Sequence, residues 1–99
     1  MFYASYANED GHVEGHLFDS YAEYIDAVGA HTPIAIVDFK STGRNYAERK
    51  ESVRQVAIEY QHAECGGMFM SEYADATAWF RTMGKRYGLS AEFEREGVI

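Results

Sequence analysis

The sequence predicts an α+β fold: a small antiparallel or mixed sheet, made of an N-terminal hairpin plus a central strand, packed with three helices in the order ββαβαβα. Three observations predict it. Two aromatic-rich segments flank an Asp-Gly turn at the front, a nearly all-apolar, β-branched run occupies 33–39, and three later or intervening stretches carry apolar residues at helical spacing. The chain has 99 residues, 46% of them apolar, with one proline and one cysteine. That length makes residues 1–99 a single domain, large enough to close a core without disulfides.

Phe2 to Ala7 and His12 to Phe18 read as the two hairpin strands, joined by Asn8-Glu9-Asp10-Gly11. Gly15 inside the second strand signals a bulge or a close backbone approach. Ser20-Tyr21-Ala22-Glu23 is a capping box, so a helix starts at Tyr21; Tyr21, Tyr24, Ile25 and Val28 form its inner stripe and Gly29 ends it. Pro33 to Phe39 has the pattern of a central strand covered on at least one face. Asn45, with Glu48 three residues on, opens a long helix predicted to run from Tyr46 to Glu64, with Tyr46, Val53, Val56, Ala57, Tyr60 and Ala63 inward and Gly66-Gly67 as its stop. Met68-Phe69-Met70 is a candidate short strand. Ser71 then caps a helix whose stripe is Tyr73, Ala76, Phe80, Met83 and Tyr87, with Gly88 beyond it. Leu89 to Ile99 adds a last short strand around Glu92 to Glu94, or trails loosely.

Sixteen acids against nine bases leave a net charge of -7. Such a balance argues against direct binding of nucleic acid, whose affinity comes from cations displacing counterions. The charge is also polarised along the chain. Residues 1–39 hold Glu9, Asp10, Glu14, Asp19, Glu23, Asp26 and Asp38 without one Lys or Arg, while 40–56 hold five bases against Glu48 and Glu51. One reading has the basic segments folding back onto the acidic ones and the remainder serving solubility. The other has the front third presenting an uncompensated acidic face to a basic groove on another molecule.

Catalytic patterns are weak throughout, and no enzyme activity, cofactor or metal is expected. His12, Glu14 and His16 match no zinc motif, and strand residues four apart lie about 13 Å from each other, too far to share an ion. Cys65 follows His62 by one helical turn without a third, orienting group. Glu9-Asp10 sits in a turn where both carboxylates stay solvated. Gly66-Gly67 lacks the spacing of a phosphate loop. No apolar run reaches the length of a membrane span, and Met1 to Tyr6 lacks the features of a signal peptide, so a cytoplasmic address is expected. Eight tyrosines in so small a domain, Tyr3, Tyr6, Tyr46 and Tyr73 among them, either frame the core with their hydroxyls in water or form a recognition surface to which Tyr3 and Tyr6 belong.

Phe2-Tyr3-Ala4-Ser5-Tyr6-Ala7-Asn8, Gly11 and Gly15-His16-Leu17-Phe18-Asp19, followed by Ile34-Ala35-Ile36-Val37-Asp38-Phe39, resemble the opening of ArdA-type antirestriction proteins. The resemblance covers roughly the first forty residues. It implies an acidic protein of a mobile element that imitates DNA inside a bacterial host, with Glu9, Asp10, Glu14, Asp19, Glu23 and Asp26 standing in for phosphates. Phage anti-CRISPR inhibitors fit the same description. The expected partner is then the basic nucleic-acid-binding groove of a CRISPR effector or restriction enzyme, reached through those carboxylates with Tyr3 and Tyr6. The alternative is a small, non-enzymatic accessory or regulatory domain that forms a homodimer through its aromatic surface.

Overall fold

The structure is a computed structural model and describes residues 1–63 and 68–99. Among the described residues seven elements follow one another: β1 (Phe2–Ala7), β2 (Val13–Phe18), α1 (Tyr21–Val28), β3 (Ala35–Asp38), α2 (Tyr46–Ala63), α3 (Met70–Tyr87) and α4 (Ser90–Arg95). The observed order is therefore β-β-α-β-α-α-α, which corrects the expected ββαβαβα in two places. No strand lies at Met68-Phe69-Met70, because the Phe69 carbonyl already accepts from the N–H groups of Glu72 and Tyr73 and so opens α3. Residues 89–99, expected as a last short strand or a loose tail, instead carry a fourth helix: the Phe93 N–H bonds the Leu89 carbonyl at 2.8 Å, and this pair, one turn apart, is buried.

The sheet has the order β2-β1-β3 and is antiparallel throughout. The hairpin register is continuous from Phe2↔Phe18 to Ala7↔Val13, so Gly15 marks no bulge. Its turn is closed by Asn8, whose side-chain oxygen accepts from the N–H groups of Asp10 and His12, both at 3.0 Å. Gly11 supplies the positive φ of +80°. Strand alternation sends Tyr3, Leu17 and Val37 to one face and Phe2, Ala4, Tyr6, His16, Phe18 and Ile36 to the other.

Each face has its own core. Tyr3 and Val37 pack with Val53, Val56 and Ala57 of α2, Ala76, Phe80 and Tyr87 of α3, and Leu89 and Phe93. Phe2, Ala4 and Phe18 pack with Tyr24 of α1, flanked by Tyr6, Ile25 and Val28. The sheet thus separates a short helix from a three-helix layer. Gly84 lets α4 approach α3 closely, since a Cβ there would meet Phe93 Cδ2 at 3.3 Å. Arg54 of α2 grips α4 through Glu92, with Nε to Oε2 at 2.8 Å and Nη2 to Oε1 at 3.2 Å.

The caps follow local sequence closely. Ser20 accepts from the Glu23 N–H at 3.2 Å, and Glu23 reaches back to the N–H of Asp19, one residue beyond the simple box. Asn45 accepts from the Glu48 N–H at 2.9 Å and opens α2, whose described part ends at Ala63. The predicted last residue Glu64, the Gly66-Gly67 stop and Cys65 lie outside the described residues. The N-cap of α3 is Phe69 rather than Ser71, which falls within the helix.

Candidate functional site

The second sheet face and the start of α3 meet in a chain of polar contacts. Tyr6 of β1 lies across from Glu14 of β2, and its hydroxyl donates to Glu14 Oε1 at 2.9 Å. Burial, reinforced by that carboxylate, pushes the Tyr6 phenol up to about 12, so it remains a donor near neutral pH. His16, two residues along β2 on the same face, has Nε2 3.9 Å from the same Glu14 oxygen and Nδ1 2.8 Å from Glu72 Oε1. Glu72 also accepts from the Leu17 N–H at 2.6 Å and the Phe69 N–H at 2.9 Å.

One carboxylate therefore fastens the N-terminus of α3 to the outer side of β2. Burial acts to raise the pKa of Glu72, but the bonds from His16, Phe69 and Leu17 outweigh it and hold the carboxyl below the usual carboxylate range. What this clamp presents outward is apolar. Phe69 and Met70 are 68% and 85% exposed, the most exposed of the large apolar side chains. The Phe69 ring packs on His16 with centroids 5.3 Å apart, and ring contacts continue from His16 to Tyr6, Tyr24 and Tyr21 at 6.2, 6.1 and 5.6 Å. An aromatic ladder thus crosses this face between two exposed rings, Phe69 and Tyr21.

The acidic residues singled out in the sequence surround this ladder without forming one cluster. Glu9 and Asp10 are exposed in the hairpin turn, Glu14 is half-buried beneath it, and Asp19, Glu23 and Asp26 are exposed at and along α1. Among the described residues no lysine or arginine forms an ion pair with any of these six. The basic segment is engaged elsewhere. Arg49 donates to the Gly43 carbonyl at 3.1 Å, and Arg54 is held by Glu51 and Glu92. Asp38 does meet Lys40, at 3.8 Å.

Tyr3 does not join the surface. It is fully buried because strand alternation turns it under α2 and α3, where its hydroxyl reaches the Ala63 carbonyl at 3.2 Å. Tyr6 is half-buried, with its hydroxyl turned to Glu14. The sequence places Glu72 near the positive N-terminal end of a helix capped by Ser71 but gives it, Phe69 and Met70 no role in a site; with the cap at Phe69, Glu72 stands at the third helical position, where it reaches back to the Phe69 N–H. Among the described residues no three His, Cys, Asp or Glu side chains gather as a metal site, and no helix is long and apolar enough to cross a membrane. Comparison with family models, with curated proteins and with solved structures finds no match to this chain.

Proposed function

We propose that this chain is a small, non-enzymatic accessory domain that works by protein–protein contact and pairs with a second copy of itself through the aromatic face. The observation that carries this reading is the exposure of Phe69 and Met70 on a helix terminus held in place by Glu72. Apolar side chains presented on a fixed backbone lose little entropy on contact and gain the area they remove from water. Large exposed aromatic and methionine side chains are the residue types that anchor interfaces. Sedimentation velocity across a concentration series tests the reading. The wild-type chain should pass from monomer to dimer, and Phe69→Asp should remain monomeric. A wild-type chain that stays monomeric at high concentration overturns it.

A second reading is supported by a different observation: among the described residues no lysine or arginine pairs with Glu9, Asp10, Glu14, Asp19, Glu23 or Asp26. In it the protein is a phage- or plasmid-type inhibitor, anti-CRISPR or antirestriction, whose Glu9, Asp10, Glu14, Asp19, Glu23 and Asp26 occupy the DNA-binding groove of a bacterial effector. Adding the chain to such an effector should then reduce its DNA binding. Unchanged DNA binding across several effectors removes this reading and leaves the first untouched.

A further inference from the structure

We infer that the cleft between the hairpin turn and the end of α1 is a receptor for an arginine side chain presented by a partner protein. The cleft measures about 400 Å³ and is lined by Tyr6, Asn8, Glu9, Glu14, Val28 and His31. Its parts suit a guanidinium on an aliphatic stem. Val28 offers an apolar wall for the methylenes, Tyr6 an aromatic one for a flat cation, and Glu9 and Glu14 supply two carboxylates. Glu14 receives Tyr6 on Oε1, and no bond among the described residues occupies Oε2. A planar fork of donors matches such an arrangement better than the point charge of an ammonium.

The walls are fixed before any partner arrives. Asn8 N–H bonds the His12 carbonyl at 2.8 Å and its side chain holds two further amides, so the turn bearing Glu9 is closed from within. On the other side the Tyr24 hydroxyl donates to the His31 carbonyl at 2.9 Å and secures the segment that leaves α1. Charge complementarity names the occupant. Residues 1–39 contain no lysine or arginine, and among the described residues no lysine or arginine from the rest of the chain pairs with Glu9 or Glu14, Lys40 reaching only Asp38 of β3.

The inference rests on the second reading only in taking the anionic front as a contact surface, and it is tested on the isolated chain, apart from any effector. Isotope-labelled protein is titrated with a capped Gly-Arg-Gly peptide, its lysine counterpart and its citrulline counterpart, and amide shifts are followed by NMR. The arginine peptide should move the amides of Tyr6, Asn8, Glu9, Glu14 and Val28, the lysine peptide less, and the uncharged citrulline peptide hardly at all. Glu14→Gln, which can still accept from Tyr6, should weaken arginine-peptide binding about fivefold, and Glu9→Gln in the exposed turn should weaken it by a smaller factor. Equal shifts with arginine and citrulline peptides overturn the inference. So does unchanged binding by Glu14→Gln, or shifts spread equally over Asp19, Glu23 and Asp26.

Discussion

At Gly15 the absence of a side chain is what leaves room for the Tyr3 ring on the face covered by α2 and α3. Gly15 is buried on the face that carries Tyr3, and a Cβ built there would fall on the Tyr3 ring, 2.6 Å from Cε2. The ring cannot swing away, because it is enclosed by the larger core and tethered at its hydroxyl to the Ala63 carbonyl. Gly15→Ala should therefore cost about 2–3 kcal/mol through overpacking, read as a lower urea midpoint with an unchanged slope. Adding the substitution to Tyr3→Ala should cost much less, since the clash is then gone, and the double-mutant cycle isolates that coupling. Equal costs in both backgrounds would assign the effect to backbone propensity instead. From sequence, a glycine inside a strand reads as a bulge or a close backbone approach. The continuous pairing of Ser5 with Gly15 excludes the first, and what comes close is the Tyr3 side chain rather than a backbone.

Elements with strong local signals appear where the sequence places them, and those whose signals depend on distant partners do not. β1, the second strand, α1, α2 and the body of α3 follow from turn chemistry, capping residues and apolar spacing, all of which act within a few residues. The start of α3 is decided otherwise. Glu72 binds Leu17 and His16, 55 and 56 residues away, and no local pattern announces those partners. The α4 helix likewise depends on Gly84 and Phe80 accommodating Phe93. The same long-range dependence explains why the site was half legible: the acids of the front third are visible as charge, whereas the exposed Phe69 follows from where Glu72 anchors its helix. This anchor predicts a pH response. A carboxyl held below its ordinary range contributes stability that is present above that range and is lost as pH falls through the folded value. Glu72→Gln should cost about 1–2 kcal/mol near neutral pH, where one accepted bond and the charge facing His16 are lost. That difference should shrink in acid, as the wild-type chain itself gives up the charge. Stability measured by chemical denaturation at several pH values checks this; a gap that stays constant into acid would mean that Glu72 acts through packing and not through its ionised bonds.

Taken whole, the molecule is a sheet with two unlike sides. Its anionic residues without bases, from 1 to 39, belong to the hairpin, α1 and β3, while all nine lysines and arginines begin at Lys40 and run through the α2, α3 and α4 layer. The two contact surfaces argued above border each other near Tyr6, yet they respond to salt in opposite ways. Contact through Phe69 and Met70 removes apolar area from water, and excluded salts such as sulfate strengthen it. Contact through Glu9 and Glu14 is Coulombic and partly solvent-exposed, so it fades as the screening length falls from about 10 Å at 0.1 M salt to about 3 Å at 1 M. Dimerisation followed by sedimentation should thus persist or tighten between low and high sodium sulfate, while arginine-peptide binding over the same range should weaken severalfold. If dimerisation dissolves as salt rises, the copies are joined by charge, acidic layer against basic layer, and Phe69→Asp will leave the dimer intact. If peptide binding survives molar salt, the cleft holds its ligand by the apolar wall of Val28 and Tyr6, and the carboxylates select the guanidinium without supplying most of the affinity.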